Sequence, residues 1–169
     1  NMQNRIGISS GQMVTGNMGS EARMNYTMMG DNVNTAARLE SSAKQYGVYI
    51  QIADSTYQAV KEKVVVRDLD NVVVMGKNEP VKVWELISEV GQEPDQYKKI
   101  LPAYHEALDL YKNQEWSKAI DAFKASDELE EMFGGRKTNP SRIYIPRCEH
   151  YQENPPGEDW DGVWTLTSK

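Results

Sequence analysis

Asn34 and Arg38 stand four residues apart in a stretch that reads as the first turns of a helix, so an amide and a guanidinium share one face. Near a helix N-terminus, where the dipole favours anions, such a pair composes a clamp for a phosphate and a ribose. A surface arginine paired with a carboxylate is the competing reading, and the Asn-x-x-x-Arg spacing alone does not separate the two. The pair needs elements to position it. Asn25 to Met29 alternates as a short strand, Gly30-Asp31 is a turn signal, and Val33, Ala36, Ala37 and Leu39 recur at helical spacing through Ala43. A strand therefore feeds a helix, with Asp31 as its expected N-cap.

The run Asn25-Tyr-Thr-Met-Met-Gly-Asp-Asn-Val-Asn-Thr-Ala-Ala-Arg-Leu-Glu40 resembles the signature of the class III nucleotide cyclases, in which this block supplies half of an active site shared between two subunits. Upstream, Arg5 to Ser20 is similar to the family's preceding strand-turn-strand. Its glycines at 7, 11, 16 and 19 read as backbone punctuation, with Gly11 at a turn or bulge. A glycine-rich phosphate loop is disfavoured there because no helix follows directly. Downstream, Gly47 to Ile52 reads as a strand, Ala53 to Lys63 as a helix begun by Asp54-Ser55, and Val64 to Arg67 as another strand. Leu69 to Leu86 looks like the family's closing hairpin.

The resemblance implies roles. Asn34 would orient the ribose and the attacking 3′ oxygen, and Arg38 would neutralise charge growing on the phosphates. Thr27 would read the base, its hydroxyl suiting adenine and hence ATP, and the main chain of Met28 would add a base contact. The family's cofactor is a pair of Mg²⁺ or Mn²⁺ ions on two aspartates, expected in a preceding first half of the domain. Asp31, Asp68 and Asp70 read as cap and turn residues, so no metal ligand is assigned in this chain. The chain departs from the family at Met75, where Val-Met-Gly-Lys replaces a lysine that grips the triphosphate, while Lys77 reads as a solvated turn residue.

The expected fold class is α+β: an incomplete cyclase sheet of the ferredoxin-like palm type with helices, followed by a small helical hairpin. Residues 1–90 would form the C-terminal half of a cyclase domain, 91–99 a linker, and 100–169 the hairpin with a Pro/Trp-rich tail. A sheet without its first half would expose strand edges and favour dimerisation, strand exchange or rearrangement. Tyr104, Ala107, Leu108 and Tyr111 form one apolar stripe, and Trp116, Ala119, Ile120 and Phe123 a second. The interval from Ala107 to Ala119 resembles a tetratricopeptide helix contact, although only one such unit is visible. A third helix is expected from Asn139, interrupted at Pro146, and then an extended tail pinned by Trp160 and Trp164. This tail is similar to extensions that follow the catalytic domain in some bacterial cyclases with sensors outside the membrane.

With a net charge of −6, the chain offers no general basic surface for nucleic acid. No apolar run of about twenty residues occurs, so the expectation is a cytoplasmic chain without membrane contact of its own, whose parent protein is a candidate for membrane attachment. A lone Cys148 gives no disulfide framework and fits a reducing interior, and with His150 it makes too small a set for a metal. The leading expectation is a fragment of an adenylate cyclase that converts ATP to cyclic AMP and pyrophosphate at a dimer-interface site, as a homodimer or with a complementary half, and is inactive alone. The alternative is a non-catalytic nucleotide-binding or protein-interaction module.

Overall fold

Leu39, Ala43 and Tyr46 lie along one line of a helix with Thr35, and burying that line against a sheet organises the first part of the chain. The computed structural model describes residues 4–73, 80–130 and 136–164. In chain order it contains β1 (Ile6–Ile8), β2 (Val14–Ser20), β3 (Arg23–Met29), α1 (Asp31–Tyr46), β4 (Ile50–Ala53), α2 (Asp54–Val60), β5 (Val64–Val73) and β6 (Pro80–Glu89). Three helices follow: α3 (Tyr97–Lys112), α4 (Trp116–Glu130) and α5 (Pro140–Glu153). The class is α+β, as expected.

The sheet is partial. Four strands run in the order β1-β4-β6-β5, with β1 parallel to β4 and the other pairs antiparallel, while β2 and β3 form a separate antiparallel hairpin. Contact between β1 and α1 is close enough that a Cβ on Gly7 would stand 2.1 Å from the Ala36 carbonyl oxygen. Glycine is the residue that permits this approach. At its other end α1 stops at Gly47, where φ is 67° and the backbone N–H turns back to the Ala43 and Lys44 carbonyls.

β5 corrects the expected boundaries. The separate strand over Val64 to Arg67 and the first arm of the closing hairpin are one continuous strand, and Asp68 and Asp70 sit within it rather than in turns. The register passes from Asp68 opposite Trp84 to Asp70 opposite Val83, which leaves Leu69 as an extra residue in a bulge. α2 is shorter than expected, ending at Val60, and is entered from Ala53 with no side-chain cap.

The two apolar stripes of the helical region pack as expected. Tyr104, Ala107, Leu108 and Tyr111 on α3 meet Ala119, Ile120 and Phe123 on α4, closed by Tyr144, Cys148 and Tyr151 of α5. α5 runs through Pro146, contrary to the expected interruption, with Tyr144, Arg147, Cys148 and Tyr151 buried on both sides of it. A proline removes one intrahelical bond. The burial of the turns on either side holds the helix together across the gap. Trp160 rests against Tyr111, Trp116 and Tyr151 at ring-centroid distances of 5.1, 5.4 and 5.1 Å, pinning the tail over this core.

Four successive β5 residues bind the helical region. Arg67 Nη1 donates to Glu130 Oε1 at 2.5 Å, and Lys112 Nζ to Asp68 Oδ2 at 3.0 Å. Tyr144 Oη donates to the Leu69 carbonyl at 2.7 Å, and Arg147 Nη2 to Asp70 Oδ2 at 2.7 Å. The bulge accounts for the third bond, since a residue extra to the ladder presents a carbonyl that needs another donor. Asp70 also accepts from Tyr46 Oη at 2.6 Å, so the end of α1 and the middle of α5 meet at one carboxylate.

Candidate active site

Thr27 and Met28 lie near the end of β3, paired across the hairpin with Gly16 and Thr15. Thr27 is half-buried and Met28 is exposed. The chain then turns through Gly30 at φ 144°, a backbone conformation for which glycine is suited, and enters α1. Gly30 is the N-cap and Asp31 the first helical residue, so the expected capping role of Asp31 is corrected: among the described residues no side chain caps this helix. The Gly30 carbonyl accepts from the backbone N–H groups of Val33 and Asn34 at 3.1 and 3.2 Å, closing the first turn.

The helical phase places the candidate pair. Thr35 and Leu39 are buried, and Asn34 and Arg38, one residue before each, sit about 100° round the helix and are exposed. The amide and guanidinium thus project from the flank of α1, one turn apart. Thr27 and Met28 lie on the strand before the Gly30 turn, and Asn34 and Arg38 on the helix after it. This junction is open to its surroundings, and the two cavities of note among the described residues lie elsewhere, around Trp116 and around Tyr49.

Asn32 holds the first turn of α1 against the loop after β1. Its Oδ1 accepts from Ser9 Oγ at 3.1 Å and its Nδ2 donates to the Gln12 carbonyl at 3.1 Å, tying the loop after β1 to the start of α1. Gly11 lies in this loop, where a Cβ would stand 2.1 Å from Asn32 Nδ2. The sequence signal is an amide beside a turn, but its partners Ser9 and Gln12 lie 23 and 20 positions away.

The carboxylates are otherwise engaged. Asp68 pairs with Lys82 and Lys112, each at 3.0 Å, and Asp70 with Arg147 and Tyr46. Among the described residues no group of three His, Cys, Asp or Glu side chains is placed to hold a metal ion. Asp68 and Asp70, their oxygens engaged by protein cations and Tyr46, therefore do not fit the metal pair that the cyclase resemblance implies. Met75 and Lys77 lie outside the described residues. Cys148 is buried in the helical core, and burial pushes its thiol up to about 12.

Exposed apolar side chains occur on both faces of the hairpin next to the junction. Val14, Met24, Tyr26, Met28 and Met29 of the β2–β3 hairpin, with Met13 just before it, are all exposed. No helix among the described residues is long and apolar enough to cross a membrane.

Residues 1–88 match the adenylate and guanylate cyclase catalytic domain, and the chain belongs to that family. It is 35% identical over 147 residues to the terminal-differentiation-specific adenylate cyclase of Dictyostelium discoideum, a match that covers 85% of this chain and 7% of that protein. A stretch of 147 residues exceeds the 88 of the catalytic-domain match, so this similarity reaches into the helical region. Adenylate cyclase 1 of Rhizobium meliloti (strain 1021) is 34% identical over 86 residues, covering 51% of this chain and 13% of that one. The crystal structure of the adenylyl cyclase CyaB from P. aeruginosa aligns with a TM-score of 0.45 at 32% identity, over 53% of this chain and 45% of that chain. The chain thus spans a small part of the length of these two curated relatives.

Proposed function

We propose that this chain contributes one half of a composite adenylyl cyclase site, with Thr27 and Met28 at the base, Asn34 at the ribose and Arg38 at the phosphates. The observation that carries the reading is the exposed Asn34–Arg38 pair on the flank of α1, next to the strand bearing Thr27, inside the segment that matches the family. In the reaction the 3′ oxygen of ATP attacks the α-phosphorus and loses its proton. The bond from that phosphorus to the oxygen bridging the β-phosphate breaks, and its electron pair leaves on pyrophosphate. Arg38 stabilises the charge that grows on the phosphate oxygens, and Asn34 fixes the ribose so that attack is in line; such groups act because they are oriented before the charge develops.

A complementary cyclase half or a second subunit would cover the junction, and the exposed Met and Tyr side chains of the β2–β3 hairpin are a surface of the kind a partner buries. The Mg²⁺ or Mn²⁺ ligands would belong to that complementary segment, so the chain by itself is expected to be inactive. Residues 1–90 would be the catalytic portion, 91–99 a linker whose last three residues already form the start of α3, and the later residues a docked helical appendage whose α3–α4 hairpin resembles a tetratricopeptide unit.

The test is complementation. This chain is mixed with a cyclase segment bearing the two aspartates, and cyclic AMP is measured from ATP. Arg38→Ala is expected to lower the rate by on the order of a hundredfold or more. An unchanged rate in Arg38→Ala would remove that residue from the chemistry, and saturable ATP binding without turnover would favour the nucleotide-binding module.

A further inference from the structure

A cavity of about 400 Å³ opens where the C-terminal end of α1 meets the segment leading into α5. Arg5, Lys44, Arg136 and Lys137 line it together with Tyr49 and Thr138, and no Asp or Glu lines it among the described residues. Four cations around one concavity run against the average of a chain with net charge −6. Clefts lined by one sign of charge focus the field and concentrate the opposite ion. We propose that this cavity binds a small phosphate-bearing anion.

The charges are not equivalent. Arg136, with its side chain 8% exposed, forms the inner wall. Its Nη2 donates to Tyr97 Oη at 3.2 Å, its guanidinium lies 5.1 Å from the Tyr49 ring centroid, and Glu85 and Glu130 stand 3.7 and 3.6 Å behind it. Those carboxylates share its charge, so the attraction for an anion rests on Arg5, Lys44 and Lys137, all exposed. Opposing them is the end of α1, equivalent to about half a negative charge. Part of that is answered by the Gly47 and Val48 N–H groups bonded to the last carbonyls. Three full positive charges outweigh it.

The shape narrows the class of ligand. The volume lies at the small end of the range for ligand pockets, about 300–1,000 Å³. A phosphate or pyrophosphate group offers several acceptor oxygens at once, matching the fork of Arg5 and the ammonium groups of Lys44 and Lys137. Nucleic acid or an acidic membrane needs an extended positive stripe, whereas here the cations converge in a concavity. The lining comes from three segments: the approach to β1, the end of α1 and its exit through Tyr49, and residues 136–138. A bound anion would hold them together.

The test is isothermal titration of the full 169-residue chain with sodium pyrophosphate at fixed ionic strength. Lys44→Glu/Lys137→Glu is the comparison, since both side chains are exposed and their reversal leaves the core intact, as a thermal melt without ligand would verify. One-site binding weakened at least tenfold in the double variant is expected. No saturable binding below about 10 mM, or equal affinity in the double variant, would overturn the proposal. So would binding that survives the double variant but disappears in Arg38→Ala, because the anion would then sit at the α1 N-terminal junction instead.

Discussion

Replacing Arg67 with Met tests whether the helical region is held to the sheet by charge. The Arg67 side chain is 0% exposed, with Nε donating to Glu85 Oε2 at 2.7 Å and Nη1 to Glu130 Oε1 at 2.5 Å; the two carboxylates are 3% and 0% exposed. Removing one partner from a buried ion network leaves uncompensated charge and costs about 3–5 kcal/mol. At about 2–4 °C per kcal/mol for a chain of this size, the melting temperature should fall by roughly 6–20 °C. The loss should also depend on pH. Burial raises the Glu130 carboxyl above its ordinary value, outweighing the attraction of Arg67, which lowers it. A carboxyl raised in the folded state contributes stability that is fully present below its unfolded pKa and is lost as pH rises through the folded value. Deleting Arg67 removes the lowering influence and widens that window upward. The gap between variant and parent should therefore widen as pH rises and shrink as pH falls, where a proton takes the place of the guanidinium. Urea unfolding followed by far-ultraviolet circular dichroism across a pH series reads both effects. A cost under about 1 kcal/mol, the range of exposed pairs, or a gap independent of pH would refute the reasoning.

Two further outcomes are expected. Gly7→Ala places a Cβ 2.1 Å from the Ala36 carbonyl oxygen and 2.4 Å from the Glu40 nitrogen, both backbone atoms of α1, so β1 and α1 must separate. The cost should approach the upper end of the roughly 1–3 kcal/mol typical of overpacking, and a urea midpoint matching the parent's would mean that β1 shifts freely. The Cys148 thiol, pushed up to about 12 by burial, should resist an aromatic disulfide reagent in the folded protein near neutral pH and react rapidly in guanidinium chloride; rapid labelling of the folded chain would show that α5 opens.

The strand-turn-helix at Asn25 to Glu40 was legible because its information is local: alternation, a glycine turn and helical spacing lie within sixteen residues. The same holds for the apolar stripes of α3 and α4, whose periodicity alone marks the faces that meet. The capping of α1 was misread, since a Gly30-Asp31 pair leaves open which residue is the cap until the backbone dihedrals are fixed. Pro146 reads as a break because the proline's cost is local, while the burial that offsets it comes from Tyr144, Cys148 and Tyr151 against other helices. Asp68 and Asp70 read as turn residues by their type, and only the fold, with their distant partners Lys112 and Arg147, shows them to be strand residues.

The sequence by itself determined the family, the strand-turn-helix at Asn25 to Glu40 and the faces that α3 and α4 bury, since periodicity and a contiguous motif need no partner to be read. The tertiary structure alone decided that Arg67, Asp68, Leu69 and Asp70 form the seam to the helical region. Their partners Glu130, Lys112, Tyr144 and Arg147 lie between 44 and 77 residues away along the chain. Charge pairing has no sequence period: a buried arginine and a solvated one are the same letter, and only the fold that removes water from one of them makes the difference.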